Sequence, residues 1–539
     1  MITRVGVAYD VVIMGGGLSG LCLGLQLKLN SEDLRIAIIE KNTHPVTESA
    51  HKVGESSVEI GSYYFLNILG LQHLLDDQLP KFGLRFFYSY GGNHDISKRI
   101  ELGPSELPLV QSFQLDRGRF ENSLVQECLQ RGIDFCDESV VESIDLGKNS
   151  HQVSVSQNSQ IQKVQVRWLV DASGRNGLLK RKLKLNKSAY HDTNAAWFRI
   201  ASTIDIDDWS SCEQWTNRVS NSRRLSTNHL FGKGYWVWLI PLASGSTSIG
   251  IVADPKCHPF AEFNTFVKAM KWLSQYEPQC AAIIDGQREL LQDFKTMKHY
   301  AHNCKQMYSS DGWFITGDSG VFVDPFYSPG SDFIAISNSF ISDLIIKQYG
   351  GKPIDSEVCE YEKLFRVIYL AFLPIFEDQY PIMGNAKVMS VKIIWDYCIY
   401  WGSIALLFFR NKLCDGRFME SGWVFFEDVY NLNVSIQSFL RAWAEVDLSV
   451  EDKSGIFINY TKMEFLRNLN QSLLKDQDDA ELIKQLSKNL MLMKELANEI
   501  IYEAVKEVPE LNEKAPNIQA GKSDYLQSMF ELFRFGDGV

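Results

Sequence analysis

Three glycines and one acid carry the first legible chemistry in this chain of 539 residues. Gly15, Gly17 and Gly20 follow the apolar run 11–14 in the spacing G-x-G-x-x-G. In that pattern one glycine makes the tight turn, one lets the backbone approach a pyrophosphate, and one allows close packing of helix on strand. Ser19 lies within the turn. The helix that starts there would turn its free N–H groups and positive dipole end toward the phosphates. Glu40 closes the next apolar run, 34–39, twenty residues after Gly20, where a carboxylate would hold the two hydroxyls of an adenosine ribose, with Lys41 beside it. The chemistry implied is the binding of a dinucleotide.

Further along, Gly54-Glu55-Ser56-Ser57 opens an apolar-periodic segment and reads as a helix start, with serine as the cap and an acid in the first turn. Capping alone would explain these residues as well as a ligand would. Arg117 and Arg119 stand near the start of a helix opening at 114–121, where a cation is unfavourable unless an anion is close, so either phosphate contact or a surface position fits them. Residues 171–174, Asp-Ala-Ser-Gly, end a strand in small side chains, as backbone passing close to a bound cofactor would. Residues 81–88 alternate as a strand, which predicts Lys81 and Arg85 on one face and Phe82, Leu84, Phe86 and Tyr88 on the other.

The elements needed to position these residues predict an α/β fold. A Rossmann-like module spans 1–80, 110–180 and 300–345, interrupted by an antiparallel sheet module at 81–109 and 181–299, and a helical region runs from 346 to 539. Strands are expected at 139–144, 152–156, 164–170, 196–206, 235–239, 246–252 and 313–316, and helices at 260–273, from about 331, and at 356–372, 433–446 and 479–505. Trp395, Tyr397, Tyr400, Trp401, Phe408 and Phe409 fit either a pocket for an apolar substrate or helix-packing core.

Composition narrows the function class. The hydrophobic share of 45% and charged share of 22% are those of a folded protein, and the length asks for two or three domains. A net charge of −12 without a Lys/Arg cluster argues against nucleic acid. The ten cysteines form no C-x-x-C pair, so no metal site or disulfide framework is expected and reduced, cytoplasmic thiols are the default. The chain passes from Met1 into the nucleotide-binding strand without a secretory signal, and the apolar run 393–409 holds Asp396 and is short for a span, so membrane contact is not expected.

Taken together, Gly15 to Gly20, Glu40, Arg117, the 171–174 segment and Gly317-Asp318 resemble the FAD-binding framework of single-component aromatic hydroxylases. Within it the distal Gly-Asp contacts the ribityl chain, which implies a cofactor role for Asp318. Two further matches narrow the resemblance. Trp236-Val237-Trp238-Leu239-Ile240-Pro241 satisfies W-x-W-x-I-P, the signature of flavin-dependent halogenases, and Lys81 falls where that family carries its essential lysine. The resemblance covers roughly residues 10 to 345. It implies a cofactor set of Gly15, Gly17, Ser19, Gly20, Glu40, Lys41, Gly54, Glu55, Ser56, Arg117, Asp318 and Gly330, and a reacting set of Lys81, Trp236, Trp238 and Tyr327. In that family FADH2 from a separate flavin reductase, oxygen and chloride or bromide give hypohalous acid, which crosses to the lysine beside an aromatic substrate, and the tryptophans wall off the flavin side.

Two residues depart from tryptophan-specific relatives. Asp324-Pro325-Phe326-Tyr327-Ser328-Pro329-Gly330 carries Tyr327 where those enzymes have a glutamate, which resembles members acting on phenols or pyrroles, free or bound to a carrier protein. Pro329 occupies a position whose N–H helps bind halide in relatives, and proline has none. The halide-binding stretch Pro329, Gly330 and Ser331 would then rely on its last two residues. The alternative is a flavin monooxygenase or reductase of the same fold without halide chemistry.

Overall fold

The computed structural model describes residues 9–48, 52–189, 191–447 and 454–518. The first eight residues, which bear on the expectation of no leader, lie outside that set. The chain divides into two compact units, one formed by Met1–Leu79, Leu115–Tyr190 and Tyr300–Val367, the other by Pro80–Gln114, His191–His299 and Ile368–Val539.

The first unit is the expected Rossmann-like layer. Strand Tyr9–Met14 pairs in parallel with Ile36–Ile39 on one side and Gln160–Asp171 on the other. Asp134–Cys136 extends the sheet beyond Ile36–Ile39, and Trp313–Ile315 pairs in parallel with the end of Gln160–Asp171. An antiparallel pair, Val140–Asp145 and His151–Gln157, completes it. The residues of Ile36–Ile39 and Trp313–Ile315 are all buried, because helices cover both faces of a parallel sheet and leave no wet side to encode. Helices Leu18–Asn30, Arg117–Gln130 and Gly330–Tyr349 belong to this layer. The first and last are joined by a buried polar chain: Ser19 Oγ donates to Thr316 Oγ1 at 3.1 Å, Thr316 Oγ1 donates to Asn338 Oδ1 at 2.7 Å, and Asn338 Nδ2 donates back to the Ser19 carbonyl at 3.0 Å.

The helix expected after Gly54 forms, but its serines do not cap it. The helix is Glu59–Tyr63, Val58 holds the cap position without a side-chain bond, and a π turn, Tyr64–Ile68, follows. Ser57 instead shares a 2.8 Å hydrogen bond with Ser62, and the Gly61 N–H donates to Asp332 Oδ1 at 2.9 Å, so the helix start is fixed by its neighbour rather than by local capping.

The second unit is built on an eight-stranded sheet in the order Leu291–Met297, Asn194–Ile200, Thr247–Ala253, Tyr235–Pro241, Thr227–Gly232, Leu84–Tyr88, Glu101–Gly103, Phe457–Asn459. It is antiparallel, as expected, except where Thr227–Gly232 meets Leu84–Tyr88 and where Phe457–Asn459 meets Glu101–Gly103. The last strand comes from a stretch read as helical. The strand expected at 196–206 stops at Ile200, where the register shifts, and the chain turns into a 3-10 segment, Ile206–Trp209, capped by Asp205. The helix expected from 260 begins at Phe266, where Thr265 supplies a capping hydroxyl.

The two faces of this sheet differ. One packs Phe87, Phe198, Leu230, Val237, Ile249 and Ile251 against helices Phe266–Tyr276 and Pro278–Asp285. The other carries a run of rings. His229 stacks on Phe86 at 4.7 Å and lies 5.3 Å from Trp236, which lies 5.7 Å from Trp238. Trp238 can lie flat only because residue 250 is glycine, since a Cβ there would come within 2.1 Å of the indole.

The C-terminal helices include Asp355–Phe376, Ala386–Gly402, Gly416–Val446 and Asp479–Glu507. The apolar stretch Ala386–Phe409 meets the length and composition of a membrane span, but its most apolar 18-residue window is 94% buried within the protein, so packing accounts for its hydropathy. Of its aromatics, Trp395 is core, its Nε1–H donating to Asn433 Oδ1 at 2.9 Å, and Tyr397 stacks on Trp401 at 4.6 Å. Tyr400 faces an apolar cavity shared with Phe372, Phe426 and Tyr430.

Two changes test this packing. Glu101 is fully buried and accepts from both Arg85 and Arg223, the latter at 2.8 Å, so Glu101→Ala would strand two buried guanidiniums. The expected loss is about 3–5 kcal/mol in denaturant-midpoint measurements, and a loss under 1 kcal/mol would show that the network is not holding the sheet edge. Gly250→Ala is expected to displace the Trp238 ring, altering the near-ultraviolet dichroism and lowering stability by about 1–3 kcal/mol, whereas an unchanged spectrum would contradict the contact.

Candidate active site

In the first unit, the glycine turn has the form a dinucleotide needs. Gly15 has φ +121°, and a Cβ there would lie 2.2 Å from the Ala172 carbonyl oxygen, so the turn and the 171–174 segment touch through bare backbone. Gly20 is equally confined, with a would-be Cβ 2.1 Å from the Gly15 carbonyl. Gly17, at the cap of helix Leu18–Asn30, has nothing within 4 Å of a Cβ position, and that helix start has no side-chain cap and no acid in its first turn. Its N–H groups and dipole end therefore meet open space, which fits a pyrophosphate.

Glu40 is buried at the end of Ile36–Ile39. Its Oε2 accepts from the Gly16 N–H at 2.8 Å, and its Oε1 accepts from the Asn42 N–H at 2.8 Å and from Asn42 Nδ2 at 2.6 Å. The carboxylate thus ties the glycine turn to the following loop, and Oε2, with the Gly16 N–H as its donor, has the capacity to accept another. Lys41 beside it is exposed.

Arg117 does not point at solvent. Its Nη1 donates to the carbonyls of Val53 at 2.9 Å and Gly54 at 3.2 Å, and its other nitrogens bond Glu121, which Lys52 also contacts. It clamps the Gly54-Glu55-Ser56 loop, where Gly54 has φ +95° and a Cβ would meet Arg117 Nη1 at 2.8 Å. Glu55 and Ser56 are buried there, whereas Arg119 pairs with Glu48 on the surface.

Asp318 faces a small cavity lined also by Val321, Phe322, Pro329, Gly330 and Phe333. Burial pushes its carboxyl up, against the pull of His302, Arg175, Arg117 and Lys180. Those four cationic or protonatable groups suit a site for an anionic cofactor. Past the cavity, Tyr327 and Ser328 both take left-handed backbone, φ 66° and 59°, a conformation that costs non-glycine residues about 1–3 kcal/mol each and persists only where the surrounding structure enforces it. The Tyr327 ring lies against Phe326 at 3.9 Å, and Asp324 fixes the loop by accepting from the Phe326 N–H at 2.8 Å and the Tyr300 hydroxyl at 2.7 Å. Pro329 then caps helix Gly330–Tyr349, its carbonyl accepting from the N–H groups of Asp332 and Phe333. Ser331 is 8% exposed and its hydroxyl has no partner among the described residues.

In the second unit, Lys81 is 2% exposed, far from the surface lysine that composition favours. The structure corrects the expected alternation. The strand is Leu84–Tyr88, not 81–88, and Gly83 has φ +65°, which breaks the alternation. The Arg85 guanidinium lies 5.0 Å over the Phe82 ring, so Phe82 shares the side of Arg85 instead of opposing it. Burial above all, and the Lys81 charge after it, lower the pKa of His229, which lies on the ring-bearing face. The turn is fastened by the Lys81 N–H donating to the Ser112 carbonyl, Phe82 N–H to Leu225 and Thr227 N–H to Gly83. A Cβ on Gly83 would lie 2.6 Å from the Tyr460 hydroxyl.

Trp236 and Trp238 are both buried on that face. The Trp236 Nε1–H donates to the Tyr380 hydroxyl at 3.0 Å and that of Trp238 to Ser248 Oγ at 3.2 Å. Sequence reasoning missed His229, Tyr380 and Gly250. A glycine inside the apolar strand 247–253 was the one available signal, since such a glycine marks a close approach. Among the described residues no cluster of three or more His, Cys, Asp or Glu could hold a metal ion.

Residues 95–371, just over half of the chain, match the family described as Tryptophan halogenase. The chain is 28% identical over 426 residues to the flavin-dependent halogenase chlA of Dictyostelium discoideum, covering 73% of this chain and 69% of that one. It is 27% identical over 391 residues to the 1H-pyrrole-2-carbonyl-(peptidyl-carrier protein) chlorinase of Pseudomonas fluorescens, covering 66% of this chain and 80% of the relative. The fold is similar to that of halogenase PltM in complex with phloroglucinol and FAD, with a TM-score of 0.60 at 16% identity over 91% of this chain and 96% of that one. The glycine cradle, the buried lysine and the paired tryptophans thus stand in a chain that belongs to the tryptophan halogenase family of flavin-dependent enzymes.

Proposed function

We propose that this enzyme uses FADH2, oxygen and chloride or bromide to halogenate an electron-rich aromatic of the phenol or pyrrole class, free or carrier-bound, with Lys81 delivering the oxidant. The burial of Lys81 carries this reading. A lysine withdrawn from water is unusual, because an ammonium is costly to bury, and its compact amine can hold or transfer a small oxidant.

FAD, the family's cofactor, supplies reducing equivalents to oxygen when bound. The chain's part is to bind, orient and shield. Gly15, Gly17 and Gly20 with Ser19 would cradle the pyrophosphate, Glu40 the ribose, and Asp318 the ribityl chain, while Arg117 holds the 54–56 loop in place. Lys41 would lie near the ribose and Gly330 near the ring. Trp236 and Trp238 would exclude water and bar direct oxygenation of the substrate. Pro329 contributes no N–H, so halide would be held by the amides of Gly330 and Ser331 at the positive end of a 20-residue helix. Open space beside Gly330 and the unpartnered Ser331 hydroxyl favour this. Tyr327 in place of a carboxylate fits a ring that releases its proton without a strong base, and the pyrrole-directed relative points the same way. A separate reductase would supply FADH2, and a cytoplasmic location suits that supply.

The test is turnover of a phenol and pyrrole panel, free and carrier-bound, with a flavin reductase, FAD, oxygen and bromide. Halogenated product is expected from the wild type, and Lys81→Ala should lower its rate by about 100-fold or more while flavin still binds. Oxygenated or hydrogenated product whose yield ignores halide would instead favour a monooxygenase or reductase.

A further inference from the structure

The two tryptophans of the ring-bearing face are anchored differently. The Trp238 Nε1–H finds its partner inside the sheet, Ser248 Oγ on the neighbouring strand Thr247–Ala253. The Trp236 Nε1–H is buried and donates to the Tyr380 hydroxyl at 3.0 Å. Tyr380 belongs to a 3-10 turn, Tyr380–Ile382, that leads into the C-terminal helices and lies past residue 371, where the family match ends. An indole N–H only donates and a phenolic oxygen can accept, so the direction of this bond is fixed by the chemistry of the two groups.

Backbone seats the turn against the sheet without help from either ring. The Gly234 N–H, in the bend between Thr227–Gly232 and Tyr235–Pro241, donates to the Tyr380 carbonyl at 3.0 Å. Further on, Gly384 lies so close that a Cβ there would come 2.9 Å from the Lys233 nitrogen and 3.1 Å from its Cα. The Tyr380 ring centre itself rests 5.6 Å from that of His191. Taking away the hydroxyl alone therefore leaves the turn, its backbone bond and its ring packing in place. The change removes an acceptor. Rotation of an indole about its second torsion is soft, so a fixed acceptor at the Nε1 edge selects one plane for the ring, and a buried N–H that loses its acceptor draws the ring round or admits water.

We infer that Tyr380 is a positioning residue for Trp236, its hydroxyl holding the plane of the indole so that the wall of Trp236 and Trp238 stays closed to water. The inference rests on the proposed shielding role of Trp236 and deepens it. The C-terminal region then contributes to the chemistry of the tryptophan pair through one oxygen atom.

Two measurements on the full chain test this, with Tyr380→Phe as the variant. In 15N-tryptophan NMR the indole signal lost in Trp236→Phe is that of Trp236, and in Tyr380→Phe it should shift more than any other indole signal. An unmoved signal overturns the inference whatever the activity. The second measurement supplies FADH2, oxygen and bromide with a β-diketone scavenger, and scores brominated scavenger per FADH2 consumed, the remainder leaving as oxidised flavin and hydrogen peroxide. Tyr380→Phe should lower that yield about threefold or more, with the FAD dissociation constant changed less than about twofold. In the Trp236→Phe background there is no N–H to hold, so adding Tyr380→Phe should cost nothing further, whereas a tyrosine that only packs would cost the same in both backgrounds. A Tyr380→Phe yield within about 1.5-fold of wild type, or losses that add in the double variant, overturns the inference. If the wild type brominates no scavenger, or Trp236→Phe yields as well as wild type, the underlying reading falls and the inference with it, a result distinct from a failure confined to Tyr380→Phe.

Discussion

A lysine side chain withdrawn from water is the constraint on which the second unit turns. An ammonium group loses several kcal/mol of solvation on burial, so it stays inside only where its surroundings offset that loss and the backbone directs it there. Here the constraint is a single left-handed glycine, Gly83, placed between Lys81 and a strand whose next charged residue, Arg85, is anchored on Glu101. Arg223 shares that carboxylate and reaches on to Asp207, so the turn is tied to a buried ionic network rather than to loop packing. Arg85 is thus held in place, and the reversal at Gly83 separates Lys81 from the regular alternation of that strand. The same sheet gives one face to a hydrocarbon core and the other to Trp236, Trp238, Phe86 and His229, which keeps that face dry as well.

The first unit has a separate feature, bare backbone where a large anion is proposed to lie. Its glycines supply it by absence. Gly15 and Gly20 have no room for a Cβ, and Gly17 leaves the helix start open. The side chains near them are mostly occupied with one another: Glu40 with Gly16 and Asn42, Arg117 with the Val53 and Gly54 carbonyls, Ser19 with Thr316. They shape the cradle rather than grip the ligand. The strained pair Tyr327 and Ser328, just ahead of the helix at Gly330, is the exception, because such backbone persists only where surrounding structure enforces it.

The cradle was legible in the sequence because its signals are local. The turn, the helix and the acid are all written within thirty residues, and each must be what it is for steric reasons. The strand expected at 81–88 was legible only from Leu84 on, because a period-two reading assumes that every residue in the run is extended, and Gly83 is not. His229 was invisible for a different reason. Its meaning comes from the parallel pairing of Thr227–Gly232 with Leu84–Tyr88, two segments about 140 residues apart, and no local pattern encodes that register. The edge strand Phe457–Asn459 escaped in the same way, being three residues whose strand character comes wholly from Glu101–Gly103. Ser56 and Ser57 misled in the opposite sense, since they have cap chemistry but their helix start is fixed by Asp332.

The central claim is that oxidant is made at the flavin and used at Lys81, two functions borne by different units. A β-diketone scavenger of free hypohalous acid separates them most directly. With FADH2, oxygen and bromide but no aromatic substrate, Lys81→Ala should brominate the scavenger at a rate close to wild type, even though it no longer halogenates an aromatic. Loss of scavenger bromination in Lys81→Ala, with flavin binding and folding intact, would place the lysine in formation of the oxidant and contradict the account.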